Sequence, residues 1–140
     1  MIQASDIKRA LREAGFEIYR TEGGEVHVAE RVRENLIMDS GVRVVGPASA
    51  VAFVTRAQQR DFPDDAPEQL FDRARRVAGR ALERGYQEVR AFVTPIRDPG
   101  DPSRALDHSY EVRFEKAVAD LAAALDEVRQ LISLDKTAKR

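Results

Sequence analysis

Residues 16–28 read FEIYRTEGGEVHV, and this stretch decides the fold class. Apolar and polar residues alternate over residues 16–20, the pair Gly23-Gly24 follows, and Val26 and Val28 begin a second alternating run. An alternation with a period of two is typical of a strand, and two such runs joined by a glycine pair predict a β-hairpin. We therefore expect an antiparallel sheet in the first half of the chain.

A short helix is predicted before this hairpin, and more strands after it. Ile7 and Leu11 share a helical face that ends at Gly15. Residues 30–35 contain Val32 as their one apolar side chain, which suits either an edge strand or one helical turn, and we favour the strand.

A second hairpin is predicted around Gly41. Residues 36–38 and 42–45 are apolar-rich, and residues 39–41 between them are Asp-Ser-Gly, a composition typical of a turn with positive φ at the glycine. Gly46-Pro47 ends this strand and residues 51–55 form the next one.

The second half of the chain predicts a central helix and two more strands. The helix runs from about Ala66 to Arg84 and ends at Gly85, with an apolar face that packs on the sheet. Strands are expected at residues 88–94 and 108–114, joined by a long loop over residues 95–107.

A long C-terminal helix is predicted from residues 114–116 to Leu134. Its apolar side chains recur at heptad spacing, and three further apolar residues widen that stripe on one side. The heptad positions are Phe114, Val118, Leu121, Leu125, Val128 and Ile132, and the flanking residues are Ala117, Ala124 and Leu131. Residues 136–140 form a flexible basic tail.

The predicted fold class is α+β. We expect a single antiparallel sheet of five to six strands with an N-terminal, a central and a long C-terminal helix, in the order α-β-β-β-β-α-β-β-α. The length of 140 residues predicts one domain, which we place at residues 1–135.

Composition excludes several functional classes. The chain has no cysteine, which removes disulfides, thiol nucleophiles and cysteine-ligated metals. A formal net charge of −1 gives no overall field for a nucleic acid or an anionic membrane. No apolar run is long enough to span a membrane and no secretory leader begins the chain, so we expect a soluble cytoplasmic protein without a membrane span.

The residues that most often carry catalysis or metal binding do not form a recognisable motif. His27 and His108 lack the spacing of paired metal ligands, and Ser40 lacks the flanking pattern of a serine nucleophile. Asp98, Asp101 and Asp107 are oxygen ligands in principle, but the loop lacks the spacing of a calcium-binding ladder and has ordinary turn composition. We predict no catalytic residue, cofactor, metal or small-molecule substrate.

The central helix carries a stripe of arginines that project within about 80° of one another. These are Arg73, Arg76, Arg80 and Arg84. The stripe either binds phosphates or an acidic partner, or forms a solvated face paired with Asp72 and Glu83, and we favour the solvated face.

The flank of the C-terminal helix is the predicted partner or dimer interface. Ala117, Ala124 and Leu131 face either the chain's own sheet or a second subunit, and the spacing alone does not decide between these alternatives.

The order of elements resembles the type III secretion chaperone-like fold and the related YbjN-type domains. The resemblance extends over most of the chain, from Ser5-Asp6-Ile7 through Leu70-Phe71 to the heptad residues Val118, Leu121 and Leu125. It implies a homodimer that binds an extended segment of another protein without catalysis.

We therefore expect a non-catalytic protein-binding module, of adaptor or chaperone-like type, that acts as a homodimer in the cytoplasm. The alternative is binding of a nucleic acid or a phospho-ligand through the arginine stripe, and we expect a protein partner rather than a nucleic acid.

Overall fold

The computed structural model describes all 140 residues and contains three α-helices, six strands and two short 3-10 helices. The α-helices are α1 (Ala4–Glu13), α2 (Pro67–Ala78) and α3 (Leu121–Ile132). The strands are β1 (Glu17–Glu22), β2 (Glu25–Arg33), β3 (Leu36–Val45), β4 (Ala50–Gln58), β5 (Gln87–Asp98) and β6 (Asp101–Ala117). The 3-10 helices are Gln59–Asp61 and Gly79–Arg84.

The strands form one antiparallel sheet in the order β1-β2-β3-β4-β6-β5. The α+β class and the predicted order of helices and strands are therefore confirmed. The outermost strands are β1, with six residues, and β5, with twelve.

The chain forms two compact units. The first consists of Met1–Phe53 and Glu115–Leu134, and the second of Val54–Phe114 and Asp135–Arg140. Strands β4 and β6 each contribute residues to both units.

In the first unit, α1 and α3 cover the strands from one side. Ile7 and Leu11, one helical turn apart on α1, are fully buried against β1 and β2, and α3 packs on β3. Val26 and Val44 are opposite one another on β2 and β3 and are almost completely buried. The core is therefore made by one stripe of each helix and one face of the strands.

In the second unit, α2 packs through Leu70 and Ala74, which are fully buried. The hydroxyl of Thr55 on β4 donates a hydrogen bond to the carbonyl of Ala74 at 2.6 Å. Phe71 contacts Tyr110 of β6 edge to face, with ring centroids 5.2 Å apart, an arrangement that aromatic pairs favour.

The predicted turn at residues 39–41 is wrong, because β3 is one continuous strand from Leu36 to Val45. The β2–β3 register shifts between His27 and Ala29, opposite Gly41, whose φ of 82° produces a β-bulge instead of a turn. The turn lies at residues 34–35, so the strand predicted over residues 30–35 is confirmed for residues 30–33 only.

The predicted long loop over residues 95–107 is also wrong. Strand β5 continues to Asp98 and β6 begins at Asp101, so Pro99 and Gly100 alone form the turn. The carboxylate of Asp98 accepts a hydrogen bond from the Gly100 N–H at 2.9 Å. Asp, Pro and Gly are the residues of a tight turn as well as of a loop, and the strands that flank them are long.

Both predicted long helices are shorter than expected. Helix α3 starts at Leu121, because Asp120 is its N-cap and accepts a hydrogen bond from the Ala123 N–H at 2.9 Å, while β6 extends to Ala117. Helix α2 ends at Ala78, because Gly79 has φ 42° and ψ −116°, which is not helical.

The tail predicted to be flexible pairs with β4 in the structure. The Arg56 N–H donates to the Lys136 carbonyl and the Ala138 N–H donates to the Arg56 carbonyl, both at 2.8 Å. The side chain of Ala138 is buried.

Candidate functional site

The structure separates the three residues of the predicted interface. Ala124 and Leu131 are fully buried on the face of α3 that packs in the first unit, so the chain itself covers both side chains. Ala117 is exposed, but it lies at the end of β6 and not on the helix. Because α3 begins only at Leu121, the predicted flank is not one continuous helical surface.

The arginine stripe is divided at Gly79. Arg73 and Arg76 lie on α2, whereas Arg80 and Arg84 lie on the 3-10 helix Gly79–Arg84. A 3-10 helix advances by about 120° per residue, so residues four apart no longer share a face. The structure therefore does not bring the four guanidinium groups into one stripe.

Arg73 is bound within its own unit. Its guanidinium forms an ion pair with Asp65 and lies over the ring of Phe62, 4.0 Å from the ring centroid. A cation that is already paired with a carboxylate and stacked on an aromatic ring is a weak binding group for an external phosphate.

The histidine of the first unit is part of a network between strands. His27 is buried, its Nδ1 accepts a hydrogen bond from Nε of Arg20 at 3.3 Å, and its Nε2 lies 3.4 Å from the carboxylate of Glu25. The hydroxyl of Ser40 donates to the Val28 carbonyl at 2.6 Å, so it is held in the β-bulge. These polar groups join neighbouring strands.

Asp39 and Arg43 form an ion pair beside this network, with Nη2 of Arg43 2.8 Å from the Asp39 carboxylate. Burial opposes ionisation of Asp39, but the hydrogen bonds from Arg43 and from the Gly41 N–H outweigh it and hold the pKa of Asp39 below its ordinary value. The carboxylate is therefore charged near neutral pH and fixes the bulge.

A cavity of about 370 Å³ in the second unit is lined by Asp107, His108 and Arg60. Asp107 is buried, and its Oδ1 accepts hydrogen bonds from the backbone N–H groups of Arg60 at 3.0 Å and His108 at 2.8 Å. Its Oδ2 has no hydrogen-bond partner and is closed off from solvent. The carboxylate of Asp107 thus holds β6 against the 3-10 helix Gln59–Asp61.

Asp98, Asp101 and Asp107, which are oxygen ligands in principle, do not form one site. The carboxylates of Asp98 and Asp101 each accept a local hydrogen bond at the hairpin tip, from Gly100 and Ser103. No group of three or more His, Asp or Glu side chains is placed to hold a metal ion.

The free edge of β5 is the candidate functional site. Two residues separate β5 from β6, and in a hairpin of this kind the flanking residues, here Asp98 and Asp101, are directly opposite each other. Counting back from this turn along an unbroken ladder, we infer that the even-numbered residues of β5 bond to β6 and that the odd-numbered residues point their N–H and C=O groups away from the sheet. Pro95 agrees with this register, because its missing N–H then lies on the free edge.

The outward-pointing backbone groups accompany an exposed apolar stripe. Val89 and Val93 are 52% and 43% exposed, and Ala91 between them is also exposed. Leu106 lies opposite Val93 in the hairpin register and is 51% exposed. A long edge strand with apolar side chains is a template for pairing with another strand.

Glu88 and Arg90 on β5 each have a partner within the chain. Glu88 accepts hydrogen bonds from Arg75 of α2 at 2.8 and 3.1 Å, and Arg75 also binds Asp72. The hydrogen bond to Glu88 raises the pKa of Arg75 above its ordinary value. Arg90 lies over the ring of Phe92, 4.8 Å from the centroid. The carboxylate of Glu88 is therefore paired within the chain, whereas Arg90 keeps its positive charge.

No residue of β5 was among the binding-site residues predicted from the sequence. The signals were present in the predicted strand at residues 88–94, which is rich in valine and ends at Pro95, a residue confined to edge strands. The position of β5 at the sheet edge required the strand order.

Comparison of the chain with protein families, with curated proteins and with solved structures found no match. None of the helices combines the length and the apolar character needed to cross a membrane.

Proposed function

We propose that the protein is a non-catalytic protein-binding module and that the free edge of β5 is its docking element. The observation that carries this proposal is the exposed apolar stripe of Val89, Ala91 and Val93 on β5, the outermost strand of the sheet. The register counted back from the hairpin turn directs the backbone N–H and C=O groups of the same three residues outward. An extended segment of another protein that pairs with these groups extends the sheet by one strand.

The geometry of β5 defines what the bound segment looks like. Pro95 offers no N–H, so the continuous ladder available to a partner ends before it, at Val93. Apolar side chains on alternate residues of the partner cover Val89 and Val93, and the backbone hydrogen bonds supply affinity without demanding a specific sequence.

The other polar clusters favour binding over catalysis. Arg73, His27 and Asp39 are engaged with neighbouring side chains, and these contacts join elements of the fold. The sequence resemblance to the type III secretion chaperone-like and YbjN-type domains implies the same class of function. A cytoplasmic location and a homodimeric state belong to this proposal.

A photo-crosslinking amino acid at position 93 tests the proposal in the native host. We expect a covalent adduct with a protein, and we expect the adduct to disappear when Ala91→Pro removes the central outward N–H. The control is the same crosslinker at Val32, which is 54% exposed on β2, far from this edge in the strand order. Equal adducts at both positions, or none at position 93, would contradict the proposal.

A further inference from the structure

The free edge of β5 is complementary to itself. Residues 89–93 read Val-Arg-Ala-Phe-Val, so a two-fold axis at Ala91 sets Val89 of one copy opposite Val93 of the other. The same axis sets Arg90 opposite Phe92. An antiparallel pair related by a perpendicular two-fold axis requires one residue to face its own copy, and Ala91 is the smallest residue of this stretch.

The backbone groups fit the same register. In the register counted back from the hairpin turn, Val89, Ala91 and Val93 are the residues whose N–H and C=O groups face outward, so all three form hydrogen-bonded pairs across the axis. The two valine pairs and the alanine pair also continue the exposed apolar stripe from one copy into the next. Pro95 falls at the margin of the ladder, where its missing N–H costs least.

Neighbouring registers are less favourable. An axis at Phe92 sets Pro95 opposite Val89 and removes hydrogen bonds from the centre of the ladder. An axis at Arg90 sets this arginine opposite its own copy, and like charges directly opposite each other are destabilising. In the register at Ala91, Arg90 instead faces an aromatic ring, the partner it already has within the chain.

The charges also permit this pairing. Glu88 is bound to Arg75 on its own chain, and it lies opposite Thr94 of the second copy in this register. No two like charges are directly opposite each other between positions 88 and 94.

We propose that the occupant of the β5 edge is β5 of a second copy of this chain, paired antiparallel about Ala91. This inference rests on the proposed function, because it assigns a partner to the same edge. It replaces the α3 interface with a different surface for the homodimer.

Single cysteines test the register directly, because the chain has none of its own. Ala91→Cys sets two Cα atoms about 5.5 Å apart, within the range of a disulfide, and we expect it to give a covalent dimer on mild oxidation. With Val93→Cys alone, the two cysteine Cα atoms lie about 13 Å apart along the strands, so we expect no covalent dimer of this variant. A mixture of Val89→Cys and Val93→Cys chains is expected to form the heterodisulfide.

Sedimentation velocity over a concentration series tests the pairing without cysteines. We expect Ala91→Pro to weaken self-association by about tenfold or more, since it removes the hydrogen-bonded pair at the axis. Val93→Lys is a second variant with the same expected direction, in case the proline disturbs folding. Arg97→Pro is the matched control. Arg97 is also an odd-numbered residue of β5 whose backbone groups face outward, but it lies beyond the hydrogen bonds between the two copies, so we expect the association to stay unchanged.

The outcomes separate the two proposals. Disulfide formation at Ala91 but not at Val93, with a dimer that Ala91→Pro dissociates, supports pairing of β5 with itself. A chain that stays monomeric in sedimentation, or that crosslinks equally through Ala91→Cys, Val93→Cys and Val32→Cys, overturns it. When self-pairing is overturned in this way, a photo-crosslinker at position 93 that captures a different protein leaves the protein-binding function standing, and one that captures nothing overturns both proposals.

Discussion

At the scale of single residues, the β-bulge of β3 depends on Gly41 and on the ion pair beside it. Asp39 accepts hydrogen bonds from the Gly41 N–H at 2.9 Å and from Arg43 at 2.8 Å, and Ser40 bonds to β2. The sequence Asp-Ser-Gly predicted a turn here because a turn and a bulge both use a glycine with positive φ. The choice between them is made by pairing with β2.

Gly41→Ala is expected to lower the free energy of unfolding by about 1–3 kcal/mol, because the φ of 82° is strained for any residue with a Cβ. Urea denaturation followed by circular dichroism measures this difference. The control is Gly100→Ala, where φ is not positive and the new Cβ meets only the Asp98 carboxylate at 3.5 Å. An equal loss for both variants would contradict the argument from backbone strain.

Asp39→Asn is expected to destabilise the protein by about 3 kcal/mol near neutral pH, because it leaves the buried guanidinium of Arg43 without its partner. The pKa of Asp39 is lowered in the folded state, so its stabilising effect is present above the unfolded pKa and is lost as pH falls through the folded pKa. The difference between the two proteins should therefore be full at neutral pH and shrink below about pH 4. A difference that does not change between neutral and acidic pH would show that the charge of Asp39 is not responsible.

At the scale of whole elements, α3 shows how a heptad pattern is resolved by the position of the helix start. The predicted heptad positions included Phe114 and Val118, but the N-cap at Asp120 leaves both residues outside the helix. Within α3, the flanking residues Ala124 and Leu131 and the heptad residue Val128 are fully buried, whereas the heptad residue Leu125 is half-buried. The core-facing side of α3 therefore combines the flank with one of the heptad positions.

Leu131→Ala is expected to lower the free energy of unfolding by about 2–5 kcal/mol, since it leaves a cavity in the core of the first unit. Leu125→Ala is the matched control on the same helix and should cost about 1 kcal/mol, because part of its side chain is already in water. Chemical denaturation with an unchanged m-value would measure both. If Leu125→Ala costs more than Leu131→Ala, then Leu125 and not Leu131 faces the core.

The edge strand β5 gives a second prediction at this scale. Pro95→Thr restores an N–H on the free edge, so it should lengthen the ladder and tighten self-association several-fold. The control is Pro102→Thr on β6, a proline in the same hairpin that does not lie on this edge. Sedimentation equilibrium of the two variants measures the effect, and tighter association of Pro102→Thr alone would point to another surface.

At the scale of the whole molecule, the last residues of the chain belong to the second unit. Lys136 and Ala138 share backbone hydrogen bonds with Arg56, and Asp135 forms an ion pair with Lys139 at 3.0 Å. The polar composition of residues 136–140 predicted a flexible tail, because composition reports solvation and does not report backbone pairing.

Removal of residues 136–140 is expected to destabilise the protein by about 2 kcal/mol, from the loss of two backbone hydrogen bonds and of the buried Ala138 side chain. Removal of residues 139–140 alone is the control and should have little effect. Thermal unfolding measures the difference. Equal stability of the full chain and of both truncated chains would show that residues 136–140 do not contribute to the free energy of unfolding.

The fold was predictable from the sequence to the level of its element order, because hydrophobic periodicity is local. The hairpin at Gly23-Gly24 and the buried face of α2 followed from a few adjacent residues each. The site was not predictable in the same way. That β5 lies at the edge of the sheet depends on β6 pairing with β4, a contact between distant parts of the chain.

The free edge of β5 is a single binding surface. The backbone N–H and C=O groups of Val89, Ala91 and Val93 can pair with only one strand at a time. A second copy of the chain and a segment of another protein therefore compete for the same edge. Under mass action, more protein means fewer free edges, and the concentration of the chain sets how much of it is ready to receive another protein. The dimer would then dissociate as the concentration of the chain falls, and the monomers it releases can bind another protein.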